Sequence, residues 1–236
     1  MNPRKPFIFL LTIVLAAYSL SAVAKKQEWP EITEDGLHRV HDSSMSIVYA
    51  EPGADLSIYS KVIILEPTVA FDKNWERDQR HGSASKLSTS SRVNTKKIKK
   101  DLAAEFMEVF TATLIAGGYE VVSEAGDDVL LLRPAIVNLD ITAPQTHGGG
   151  RSASYVRSAG EMTLAIDLFD SVTGDVIAKA LDRKIDNEND ARFATYANAS
   201  TNKAAAKRIL VEWAEILLGA LNDARSHPAA ALPDSD

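Results

Sequence analysis

The sequence predicts an α+β domain: a mostly antiparallel sheet of four to five strands packed by two long helices, in the order β-α-β-β-β-α. Three observations carry this. Between Glu161 and Asp186, two strand-like runs flank Ser171-Val-Thr-Gly174, the pattern of a long hairpin. From Ile98 to Leu114, and again from Ala206 to Leu221, apolar residues recur at three- and four-residue spacing, the stripe of a helix buried along one side. A lone hairpin is only marginally stable in water, so the apolar runs at 58–71 and 129–142 have to extend its sheet.

Met1 to Ala24 reads as a targeting segment. Arg4 and Lys5 precede the apolar run Phe7 to Ala17, and Ser21-Ala22-Val23-Ala24 offers the small residues that a signal peptidase reads. An uncleaved anchor is the alternative, but the apolar core is short for a span of about 20 residues. Cleavage leaves a mature chain starting near Lys25, and losing Arg4 and Lys5 takes the net charge from −6 to −8. No later segment is long or apolar enough to span a membrane. Residues 25–56 are polar and broken by Trp29-Pro30, Asp35-Gly36 and Glu51-Pro52-Gly53, and are expected to be irregular, with a short strand at Ser46 to Ala50. His38 and His41 lie three apart without a third ligand nearby and read as surface histidines.

A single domain is expected over residues 57–225. Its first strand lies in the run Ile58 to Phe71, where Val62 to Leu65 is continuously apolar, as in a strand covered on both faces. Pro67 lacks the N–H for a ladder bond, so pairing ends or bulges there. A charge anomaly follows. Between Lys73 and Lys100 nine basic residues face only Glu76 and Asp78, a net +7 within a mature chain of −8. Residues 72–94, rich in serine, are expected to form a mobile basic loop. A helix capped by Asn94 or Thr95 then runs to Ala116 and stops at Gly117-Gly118. Lys96, Lys97, Lys99 and Lys100 crowd its first turns, where the helix dipole favours anions and each misplaced cation costs about 0.3–1 kcal/mol.

Tyr119 to Ser123 is a short strand and Val129 to Thr142 a long one, with a bulge or an edge position expected at Pro134. The hairpin places Met162, Leu164, Ile166 and Leu168 on one face. Asp170 suits the start of its turn, and Gly174 supplies the positive φ needed to re-enter the second strand. A last helix spans 202–225 with Trp213 in its apolar stripe, and 226–236 is expected to be disordered.

The 236 residues are 45% hydrophobic and 25% charged, the make-up of one ordinary globular domain, and the negative net charge excludes a general nucleic-acid binder. Absence of cysteine excludes disulfides, thiolate metal sites, cysteine nucleophiles and lipidation of an N-terminal cysteine. His147-Gly148-Gly149-Gly150 matches the oxyanion loop of some esterases, but the Gly-x-Ser-x-Gly elbow this chemistry needs is missing. Val156-Arg-Ser158-Ala-Gly160 lacks the first glycine and follows at once. A flexible loop accounts for the three glycines. No catalytic, metal or cofactor residue is assigned.

Asp55-Leu-Ser-Ile-Tyr-Ser-Lys-Val-Ile-Ile-Leu-Glu-Pro-Thr-Val, Val129-Leu-Leu-Leu-Arg-Pro-Ala-Ile and the turn Asp170-Ser-Val-Thr-Gly-Asp175 resemble the bacterial envelope proteins of the domain-of-unknown-function family thirty-three-thirteen, over roughly Gly36 to Leu221. The resemblance implies an envelope location and a lipoprotein-like relationship, from which this chain departs by lacking the acceptor cysteine. It implies no activity. The expectation is therefore an exported, periplasmic, non-lipidated and non-enzymatic interaction module. Its partner would be an envelope protein or an anionic polymer or headgroup, met through Arg77, Arg80, Lys96, Lys97, Lys99 and Lys100. The alternatives are a periplasmic carrier of a lipid or other apolar small molecule, which would need a deep cavity under the helices, and more remotely a hydrolase.

Overall fold

The computed structural model describes residues 29–75, 94–141, 155–156, 158–187, 195–196 and 199–226. Within them lie ten strands: β1 (His38–Val40), β2 (Ile47–Ala50), β3 (Lys61–Ile64), β4 (Thr68–Phe71), β5 (Glu120–Val121), β6 (Val129–Ile141), β7 (Tyr155–Val156), β8 (Ser158–Asp170), β9 (Val176–Asn187) and β10 (Thr195–Tyr196). The helices are α1 (Thr95–Ala116) and α2 (Ala199–Ser226).

The α+β class holds, but the sheet is larger and more mixed than the sequence suggested. Eight strands run in the order β1-β2-β9-β8-β6-β3-β5, with β4 following β3 alongside β6; β7 and β10 pair separately. β3 and β4 run parallel to β6, and β3 parallel to β5. The cause is the helix between them: α1 carries the chain back to the end from which β3 started, and a helical crossover yields parallel neighbours. Of residues 29–56, the short strand expected at Ser46 to Ala50 is present as β2, and β1 joins it as a further strand. β2 pairs with β9 and β1 with β2, so this segment supplies one flank of the sheet.

The hairpin lies at the sheet's centre. Met162, Leu164, Ile166 and Leu168 are buried on the face that also carries Val62, Leu132 and Ile136. Both helices pack there, through Phe106 and Phe110 of α1 and Leu210, Trp213 and Leu221 of α2, all but one of them at 0% exposure. The expected cover on both faces of Val62 to Leu65 is not found. Val62 is sealed, but Leu65 is 40% exposed because the helices occupy only one side. The hairpin turn is built by its two marked residues: the Asp170 carboxylate accepts the Val172 and Thr173 amides, and Gly174 takes φ 76°.

Pro134 is neither bulged nor at an edge. It lies in central β6 opposite Ile166 and is buried. The register of β6 with β3 ends at Leu132 and resumes with β4 at Ala135, so Pro134 coincides with the Leu65-to-Pro67 break, where a donor is not required. The bulge falls four residues later. Both neighbours of β6 shift register across Asn138, which takes φ 51°, a left-handed conformation that asparagine tolerates.

α1 and α2 run side by side in the same direction. Glu105, midway along α1, meets Lys203 and Lys207 in the first turns of α2, while Gly117 at the end of α1 lies against Leu218, farther along α2. α1 opens on Asn94, whose side chain accepts the Lys97 amide (3.0 Å), and closes through Gly118 at φ 90°.

Candidate functional site

The two described ends of the basic stretch are brought together at one corner by aromatic packing. After β4 the chain turns so that Trp75 stacks on Phe71, ring centroids 4.3 Å apart, and the Trp75 indole N–H donates to the Ile141 carbonyl. At the other foot of the stretch, the Lys99 ammonium sits 5.6 Å from the centre of the same Phe71 ring, on the cation-attracting face of its π system. Residues 76–93, with Arg77 and Arg80, lie outside the described residues, but their two flanks meet here. Lys73, Lys96 and Lys100 are exposed around this corner.

The four lysines are not equivalent. Lys97 is neutralised by Asp101 one turn on, at 2.5 Å, and Lys99 is half-buried on Phe71. Among the described residues, no acidic side chain pairs with Lys96 or Lys100, and α1 has no acidic residue in its first turn. The expected four misplaced cations therefore reduce to two, because partners one turn and one strand away compensate the others.

The buried titratable groups serve the fold. Asp182, 5% exposed, stands on the helix-covered face of β9. Its Oδ1 accepts the Ser46 amide and hydroxyl, and its Oδ2 accepts the indole N–H of fully buried Trp213 at 2.9 Å. Burial alone would raise its pKa. The Ser46 hydroxyl, the Trp213 indole, the Ser46 amide and Lys184 outweigh that and hold the carboxyl below its ordinary value. Glu105, also 5% exposed, lies between Lys203 (3.1 Å) and Lys207 (3.0 Å) of α2, and Lys207 leads in lowering its pKa against burial.

At the opposite end, the Tyr59 hydroxyl donates to Asp170 at 2.9 Å, and burial, followed by that carboxylate, pushes the phenol well above its usual range. The Arg225 guanidinium covers the Tyr119 ring at 3.9 Å and donates to the Tyr59 carbonyl. The sequence held one sign of the Asp182 network, an acid in the inward series Ala178, Ala180, Asp182. Its partners, Ser46 and Trp213, are far away in the chain and gave none.

Among the described residues no three His, Cys, Asp or Glu side chains converge as a metal site. His41 is exposed and paired with Glu31 at 2.9 Å, and His38 is exposed on β1, in a strand rather than the irregular segment expected. His147 to Gly150 lie outside the described residues, and Ser158 belongs to β8. A pocket of about 60 Å³ lies between α1, α2 and the ends of β6 and β8, lined by Leu102, Leu139, Met162, Ala206 and Ile209 among others. Ligand sites usually measure about 300–1,000 Å³, so this pocket is too small for the lipid that the carrier alternative requires. No helix among the described residues is long and apolar enough to cross a membrane.

Residues 32–217 match the model of the family described as "Protein of unknown function (DUF3313)". The resemblance read from the strand and turn motifs is borne out. No curated protein matches. Among solved structures, the chain is similar to the PelC dodecamer from Paraburkholderia phytofirmans, at 12% identity and a TM-score of 0.34, over 70% of this chain and 94% of that one. It is also similar to a minor lipoprotein from Acinetobacter baumannii, at 8% identity and a TM-score of 0.34, over 71% and 96%. A DUF4136 family protein from Bacteroides thetaiotaomicron shares 9% identity at a TM-score of 0.34, over 75% and 95%.

Proposed function

The chain belongs to the DUF3313 family over residues 32–217, and from that premise we propose that it is an exported, non-enzymatic interaction module of the bacterial envelope. Its partner is anionic and is met at the basic corner. The observation that carries this reading is the convergence on Phe71: Trp75 and Lys99 hold together the two feet of a stretch with net charge +7, in a chain of net −6. Gathering cations and leaving Lys96 and Lys100 beside a helix N-terminus works against local stability, and an anion at that corner reverses the sign of the effect. A non-enzymatic role is supported by the buried carboxylates Asp182 and Glu105, whose charges are compensated by the fold itself, through Ser46 and Trp213 donating to the one and Lys203 and Lys207 pairing with the other. Export is supported by the Met1 to Ala24 pattern, and a soluble periplasmic form without lipid by the lack of any cysteine.

The test is capture of envelope components by the mature protein and by K96E/K100E, at 0.1 M and 1 M salt. The Debye length falls between these from about 10 Å to about 3 Å. The wild type is expected to lose its captured partner at high salt, and the variant to capture nothing at either, while its melting temperature is unchanged or higher. Equal, salt-insensitive capture by both proteins would sink the reading.

A further inference from the structure

β5 fills its place beside β3 for two residues only, Glu120 opposite Lys61 and Val121 opposite Val62. Farther along the same lane, β4 pairs with β6, and among the described residues no strand lies on its other side. The Asp72 amide points inward to the Leu139 carbonyl (3.1 Å). Peptide groups alternate in direction along an extended strand, so the N–H and C=O groups of Phe71 and Val69 face the lane that no strand among the described residues fills. The extra residue of the neighbouring bulge sits in β6, leaving β4 itself regular. Folds usually blunt such an edge with a charge, a proline, a bulge or a covering element. β4 reads Thr-Val-Ala-Phe and has none of these within it, and exposed Leu65 flanks the lane's entry.

The cations stand where this lane ends. Lys73 follows β4 by two residues, Lys99 rests on Phe71, and Lys96 and Lys100 lie around it on α1. We infer that the lane beside β4 takes an extended segment of a partner protein as an added strand, with carboxylates of that segment meeting the lysine corner. This rests on the reading of the corner as the anion contact and names the partner's chemistry. A polymer or headgroup would meet the cations but leave the edge groups of Val69 and Phe71 unpaired; a peptide satisfies both.

The experiment is fluorescence anisotropy with mature protein and a labelled probe peptide of alternating threonine and valine carrying three glutamates at one end. A twin carries the glutamates at the other end. One of the two is expected to bind saturably. Binding should weaken at least tenfold in 1 M salt, with alternate amides N-methylated, and in V69P, since an outward-facing edge position tolerates proline. N-methylation needs no protein variant and decides the matter if V69P fails to fold. Binding indifferent to N-methylation overturns the added strand yet leaves the anionic corner standing, whereas peptide binding indifferent to K96E/K100E overturns the corner. Absence of binding by both peptides, or self-association of the mature protein that V69P abolishes, also refutes the inference.

Discussion

Replacing Asp182 tests the fold at its most interdependent point. In D182N the volume is kept, but the amide brings one acceptor and one donor to a site where the Ser46 backbone N–H, on one side, and the Trp213 indole, on the other, can only donate. Either orientation of the amide sets its N–H₂ against a donor. Trp213 is at 0% exposure and cannot turn to water, whereas Ser46 is exposed and can. Losing a hydrogen bond to a charged acceptor costs about 1.5–3 kcal/mol, and a stranded buried donor about 1–3 kcal/mol. These overlap, so about 3 kcal/mol is expected at pH 7, which for a domain of this size is a fall in Tm of about 6–12 °C.

The sign with pH follows from the lowered carboxyl pKa. The contribution is fully present above the unfolded aspartate pKa of about 3.9 and fades as pH falls through the lower folded value. Urea denaturation of wild type and D182N at pH 7 and at stepped values below 4 should therefore show the gap closing in acid. A gap under about 1 kcal/mol at pH 7, or one of constant size down to pH 3, would refute the assignment of the network to an ionised Asp182.

Three further outcomes are expected. G174A should lose about 1 kcal/mol by chemical denaturation because φ 76° is strained for alanine, and G174N should lose less, since asparagine tolerates this region. G117A and G118A should each cost about 1 kcal/mol for different reasons: a Cβ at 117 collides with Leu218, whereas 118 has open space but φ 90°. A double-mutant cycle should then show L218A rescuing G117A and leaving G118A unrescued. N-terminal sequencing of protein recovered from the periplasm should begin at Lys25; recovery of Met1 in the membrane fraction would establish the anchored alternative instead.

Local chemistry determined everything that repeats over a few residues. The α1 stripe and its Asn94 cap, the alternation of Met162 to Leu168, and the turn chemistry of Asp170 and Gly174 depend on neighbours within one turn or one strand pair. The family resemblance rested on such stretches too. What the sequence did not determine was partnership across the chain. Parallel pairing of β3 and β4 with β6 follows from the crossover of α1, and the three-residue β1 gains its identity only from the strand it joins. Pro134 looked like a break because a proline within a strand lacks a donor, and only the register showed that no donor is needed opposite the gap at Pro67. The lysine corner and the Asp182 network are of the same kind. Lys99 reaches Phe71, and Asp182 reaches Ser46 and Trp213, through contacts between residues far apart in sequence, whose mutual distance no local pattern encodes.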